Sequence, residues 1–220
     1  MRKSCLSIAF VFLVCAFCAA QTPSTFEQVK VYGGYEFTHL DTHAVQDVFN
    51  LQHVIDPTFP QSNFGNYQNL HGWNFGIEED TLSKWFGVVV DVSGSYGANS
   101  IDLGTVANVS SKLRTKLRTY TFTGGPQFTL RRSDKVQPFV RVLFGGGWVS
   151  FSSNVFQNNV PEFADFKGKD AGIAYGGGGG ADFFFKKKVG LRLAVDLIRT
   201  PFFDDTQNNI RGTAGLVFRF

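Results

Sequence analysis

In a series of segments between Val29 and Phe220, large apolar residues recur at every second position, with small, hydroxylated or charged residues between them. A period of two puts alternate side chains on opposite faces of an extended strand, so the chain is confined to β structure with two chemically different faces. The first segment sets Val29, Val31, Gly33, Tyr35 and Phe37 against Lys30, Tyr32, Gly34, Glu36 and Thr38. The second sets Trp73, Phe75 and Ile77 against Gly72, Asn74, Gly76 and Glu78, and the third Phe86, Val88, Val90, Val92 and Tyr96 against Gly87, Val89, Asp91, Ser93 and Ser95. The same rhythm runs through Tyr120 to Phe128, Val140 to Trp148, Tyr175 to Phe183 and Leu191 to Leu197, and ends with Leu216, Phe218 and Phe220. Eight strands are predicted. No run of roughly eighteen apolar residues follows residue 20, so no helical span is expected there.

The connections alternate in length. Short polar turns fall near Leu82-Ser83, Ser133-Asp134 and Lys186-Lys187, and longer loops rich in Asn, Asp, Ser, Gly and Pro fall at 41–68, 98–112, 149–170 and 200–208. That is the layout of an antiparallel up-and-down barrel with turns at one end and loops at the other. With no composition break, residues 21–220 are expected to form one domain.

The two faces decide which side of the barrel meets which solvent. Eight strands enclose a lumen just wide enough for side chains, and a bulky apolar residue from every second position would not fit there. The apolar face must point outward, and only lipid accepts such a wall. The inward set then carries Lys30, Arg141, Arg192, Arg211 and Arg219 with Glu36, Glu78, Asp91, Asp182 and Asp196. Counting from the turn ends sorts them into a lower tier (Lys30, Glu78, Asp182, Arg192, Arg219) and an upper tier (Glu36, Asp91, Arg141, Asp196, Arg211). Each tier holds both signs, as charges in a narrow lumen require. A filled lumen with paired charges is the expectation.

Residues 1–20 read as a cleaved signal peptide: a basic start at Arg2-Lys3, an apolar run from Leu6 to about Phe17, and Cys18-Ala19-Ala20 as the cleavage site. Neither Cys15 nor Cys18 follows a small residue, which argues against a lipoprotein signal. Mass analysis of the N-terminus of membrane-extracted protein should find Gln21 first; Met1 or a lipidated cysteine would contradict this. All three cysteines lie in the leader, so disulfides, thiolate metal ligands and cysteine nucleophiles are excluded from the exported part. Arg2 and Lys3 account for two of the three net positive charges. The nearly neutral remainder argues against nucleic acid as a partner.

The chain end carries Thr213, Gly215, Phe218 and Phe220, with Phe220 terminal. This spacing is similar to the carboxy-terminal signal read by the barrel assembly machinery of Gram-negative bacteria. The stretches His71-Gly72-Trp73-Asn74-Phe75, Lys84-Trp85-Phe86-Gly87-Val88 with Asp91 and Tyr96, Gln137-Pro138-Phe139-Val140, Gly177 to Asp182, and Leu191-Arg192-Leu193 with Asp196 follow in order. Together they resemble the OmpA-like outer-membrane β-barrel family over residues 26–220. The resemblance implies a Gram-negative outer-membrane location, with outer-membrane lipids including lipopolysaccharide and the assembly machinery as partners. OmpA's additional peptidoglycan-binding domain has no counterpart in these stretches, so that activity is not expected.

Other constellations are weaker. Gly176 to Gly180 lacks the Gly-Lys-Ser/Thr ending of a phosphate loop, and relief of crowding in a strand explains it better. His39, Asp41 and His43 alternate and could face one metal, but a fourth ligand is missing. His39, His43, Ser95 and Ser153 are the rim candidates for a lipid-modifying enzyme, without a hydrolase motif around them. Arg131-Arg132 and Lys186-Lys187-Lys188 fall in turns, where lipid phosphates or water would meet them. No catalytic, cofactor or metal site is therefore assigned, and no residue pattern sets an oligomeric state. The expected function is a non-enzymatic structural or narrow-pore barrel displaying external loops. A surface adhesin of the same fold is the first alternative, supported by Phe59, Phe64 and Tyr67 in loop 41–68, and a lipid-modifying enzyme the second.

Overall fold

A computed structural model describes residues 29–43, 54–55, 67–83, 85–106, 109–157, 160–202 and 205–220. The expected leader with its cleavage site, and most of segment 41–68 including His53, Phe59 and Phe64, lie outside these residues. Eight strands follow one another: β1 (Val29–Asp41), β2 (Tyr67–Ser83), β3 (Phe86–Val106), β4 (Val109–Thr129), β5 (Val136–Gln157), β6 (Val160–Phe184), β7 (Val189–Phe202) and β8 (Asp205–Arg219). Each pairs antiparallel with its sequence neighbours, and β1 closes on β8 through a ladder from Lys30↔Arg219 to His39↔Ile210. Closure leaves no unpaired sheet edge within the ring itself, as a lipid environment requires. Beyond the ring, β3 after Tyr96 pairs only with β4, and β6 before Tyr175 only with β5.

The faces sort as the alternation predicts. Along β7 every residue from Gly190 to Phe202 alternates between buried and exposed, with Arg192, Ala194, Asp196, Ile198 and Thr200 inside and Leu191, Leu193, Val195 and Leu197 outside. Val140, Phe144 and Ile173 are 58–67% exposed on the outer wall while Lys30, Glu78, Asp91, Asp182 and Asp196 are fully buried. Apolar-out and charged-in is the inverse of a water-soluble barrel.

Aromatic side chains bracket the apolar wall. Trp85 stacks on Phe128 near the short turns, and Tyr96 meets Tyr120 edge to face on the other side. Phe128 and Tyr120 are eight residues apart on β4, or ~27 Å along the strand. Tilt by about 40° leaves ~21 Å of height, close to the ~25 Å apolar band of a membrane barrel.

Three expected loops are largely strand. β3 and β4 pair as far as Val106↔Val109, and β5 and β6 as far as Gln157↔Val160, so 98–112 and 149–170 are mostly strand. Segment 200–208 is likewise largely paired, through Phe202↔Asp205. Polar composition suggested loops, but a ladder satisfies its backbone groups above the apolar band as well as within it, and the alternation persists there in polar residues.

Candidate functional site

The lumen is the place where chemistry concentrates, and β1 to β8 all deliver side chains to it. In the upper tier, Asp196 on β7 is the hub. Arg141 Nε and Nη2 donate to its two carboxylate oxygens at 2.9 and 2.7 Å, a bidentate pair, and Arg211 Nε and Nη2 donate at 3.2 and 2.9 Å. Arg211 Nη1 also donates to Asp91 at 2.8 Å and lies 3.6 Å from Glu36. Asp91 further accepts from Asn74 at 3.0 Å and from the Tyr32 hydroxyl at 2.7 Å. Ser95 and Thr38 donate to Glu36 at 2.5 and 3.1 Å. All five residues of the expected upper tier, Glu36, Asp91, Arg141, Asp196 and Arg211, therefore stand in one buried network.

Space for it comes from glycine. Gly178 pairs with Asp196, and a Cβ there would lie 2.5 Å from the Asp196 carboxylate and 2.1 Å from the Val195 carbonyl oxygen. Within the glycine run, Gly178 is thus the position that makes room for the ion cluster.

The lower tier differs from expectation at one member. Lys30 Nζ donates to Glu78 at 3.1 Å and Asp182 at 3.2 Å, while Arg192 joins the same two carboxylates at 2.6–2.8 Å. Arg219 does not take part. It sits one residue from the chain end at the barrel mouth, where its guanidinium donates to the Lys187 carbonyl and covers the Phe184 ring at 4.4 Å. Arg131 turns in instead, pairing with Asp80 and lying 3.9 Å from Glu78, rather than facing lipid from its turn. The register shift between Glu79 and Ser83 accompanies the inward placement of Asp80.

Between the tiers stands an aromatic layer that pattern reading did not single out. The Arg192 guanidinium lies 4.1 Å from the Tyr32 ring centre and 4.5 Å from that of Phe139, and Arg141 lies 5.9 and 5.8 Å from the same rings. Guanidinium groups of both tiers thus face the same two rings. Above the upper tier remains a chamber of about 30 Å³ whose wall combines Leu40, Ile198 and Phe202 with Glu36, Thr200 and Asn209. It has room for about two waters.

The other candidates separate. His39 meets Asn69 at 2.8 Å and stacks on Tyr67 on the outer side, His43 meets Asp41 at 2.6 Å, and His71 meets the Tyr35 hydroxyl. Ser95 points inside to Glu36, and Ser153 to Thr115 at 2.8 Å. The barrel wall stands between these histidines and serines. Among the described residues no three His, Cys, Asp or Glu groups gather as a metal site. At the chain end, Phe218 and Phe220 face outward, Phe220 is 69% exposed, and its N–H donates to the Val29 carbonyl at 2.9 Å. Thr213 and Gly215 face Glu36 and Gly34 across the closing seam.

Residues 8–220 match the model of the outer membrane protein beta-barrel domain. No curated protein is similar to the chain in sequence. Among solved structures, the chain is similar to Ail, the attachment invasion locus protein of Yersinia pestis, in complex with the heparin analogue sucrose octasulfate. The TM-score is 0.54 at 13% identity, over 89% of this chain and 100% of that one. A second crystal structure of Ail gives 0.53 at the same identity and coverage. The outer membrane protease OmpT of Escherichia coli gives 0.47 at 9% identity, over 91% and 99%. At 13% identity the likeness to Ail is one of fold.

Proposed function

Because the chain belongs to the outer membrane protein β-barrel family, we propose that it is a non-enzymatic structural barrel of a Gram-negative outer membrane whose lumen is plugged. It is exported by the leader 1–20, handed to the barrel assembly machinery through Thr213, Gly215, Phe218 and Phe220, and embedded among outer-membrane lipids including lipopolysaccharide. The observation that carries the plugged reading is the pair of charge clusters stacked on either side of Tyr32 and Phe139. Every formal charge in the two clusters has a partner of opposite sign within 3.6 Å. A mobile ion would have to displace those partners and pay the desolvation cost of each.

Single-channel recording on refolded protein in planar bilayers tests this. Brief, small openings or none are expected. Large steady currents from the parent protein would show a hydrated channel and end the plugged reading.

A second reading, a binding barrel that displays its hairpins, draws on the lengths of β3 to β6. These four strands have 21 to 25 residues, about twice the ~10 that cross a membrane. Exchange of the β3–β4 and β5–β6 hairpins for short turns, with surface binding measured on whole cells, separates a display role from a purely structural one.

A further inference from the structure

The outer wall above the aromatic girdle is strongly basic on one side. Beyond Tyr120, strand β4 presents Arg118, Lys116, Arg114 and Lys112 outward at every second position, all exposed. Strand β6 presents Lys169 and Lys167, also exposed. The register brings them together. Arg118 pairs with Ser150 and Ser150 with Lys169; Lys116 pairs with Ser152 and Ser152 with Lys167. Two rows of cation, serine and cation result, directly beyond the Tyr120–Trp148–Ala171 row.

The geometry of the sheet sets their spacing. Cations in one row are two strands apart, ~10 Å, and the two rows are ~7 Å apart along the strands. A phosphate group fits within that rectangle, with lysine and arginine at the corners and half-buried serine positions down the middle. On β3 the rows continue into Tyr96 and Ala98, so neither row contains an acid. Farther out, the register places Asp165 in the row of Arg114 and Asp102 in the row of Lys112.

We infer that the face formed by Arg118, Lys116, Lys167 and Lys169 binds the phosphorylated headgroup of a glycolipid in the outer leaflet. This rests on the reading of the chain as an outer-membrane barrel and gives its lipid contact a location. The face looks sideways from the wall, one residue pair beyond the tyrosine and tryptophan level at which headgroups begin. A lipid whose acyl chains lie against Phe122 and Phe144 reaches it with its phosphates. A soluble polyanion would instead meet the tips of the hairpins first.

The test uses the full mature chain folded in detergent. Its binding is measured to lipid A carrying both phosphates, to the same lipid with the phosphates removed, and to heparin. The parent is expected to prefer the phosphorylated lipid, with affinity that falls as salt rises. K116Q/R118Q/K167Q/K169Q is expected to weaken that binding by about fivefold for each cation removed. The charge-preserving set K116R/R118K/K167R/K169R, and K186Q/K187Q/K188Q at the opposite end, are expected to bind as the parent does. Should the fourfold variant fail to fold, R118Q/K169Q and K116Q/K167Q each carry the test with one row intact. Equal affinity for both lipids, unchanged binding by wall variants that retain heat-modifiable mobility, or loss of heparin binding alone would overturn the inference. Failure of the parent to fold in detergent or bilayer would fall on the barrel reading itself, not on this face.

Discussion

Asp196→Ala is expected to destabilise the folded barrel by about 3–5 kcal/mol in urea titrations from lipid vesicles. Asp196 holds Arg141 and Arg211 together, and each guanidinium places two nitrogens on its carboxylate. Without it, two buried cations share only Asp91, with Glu36 reaching Arg211 alone. Removal of one partner from a buried network leaves uncompensated charge, and this cost exceeds the net worth of the pair itself. Arg141→Ala should cost less, because Asp196 keeps Arg211, and Asp91 keeps Arg211, Asn74 and Tyr32. Arg141→Ala opens space beside Tyr32, whose hydroxyl loses its guanidinium donor, and Asp196→Ala opens space between Arg141 and Arg211; larger single-channel currents should accompany either change. Lys187→Ala, on an exposed turn, should change stability by less than about 1 kcal/mol. If Asp196→Ala costs no more than Lys187→Ala while the parent conducts steadily, the charges are screened by water and the lumen is open.

Alternation alone sorted the wall from the lumen because a period of two has only two outcomes per strand, and one residue of slip would invert a whole strand. Tier membership was also legible, since depth follows from counting residues away from a turn. That count breaks down at strand ends. Arg219 has inward parity, but at the last turn of the chain the lumen opens and a backbone carbonyl at Lys187 is the nearer partner. Arg131 has turn composition around it, and only the shift in register on β2 brings Asp80 within its reach. Tyr32 was placed on the inward face, yet its role as a partition needs three-dimensional neighbours, Arg192 from β7 and Phe139 from β5. The basic outer face was hidden for a different reason. Lys112, Arg114, Lys116 and Arg118 keep the period of two, but a scan for apolar alternation passes over a stretch of β4 whose outward residues are all cations. Reading the same period in charge rather than in hydropathy would have extended β4 upward and exposed the patch.

The second large effect is expected at the chain end, in assembly and not in stability. Phe220→Ala should reduce the amount of folded, heat-modifiable barrel in the outer membrane several-fold and raise periplasmic degradation. Two roles for Phe220 are separable by geometry. Its backbone N–H closes the ladder onto Val29, and that bond survives any side-chain substitution. Its ring is mostly exposed on the outer wall, so truncation removes little buried area from the finished barrel. A purely structural role therefore predicts a small change in both assembly and stability. A role as the terminal aromatic of an assembly signal predicts a large fall in assembly with nearly unchanged urea unfolding of whatever barrel forms. Deletion of Phe218 to Phe220 is a harsher companion, because it also removes the pairing of Phe218 with Val31 and of Arg219 with Lys30 at the seam. Both variants should be measured in cells and after refolding in vitro, where no machinery reads the signal. If Phe220→Ala accumulates normally in the membrane, the ring acts in packing alone; if it refolds as poorly in vitro as it assembles in cells, the ring contributes to folding itself; in either case the signal lies elsewhere.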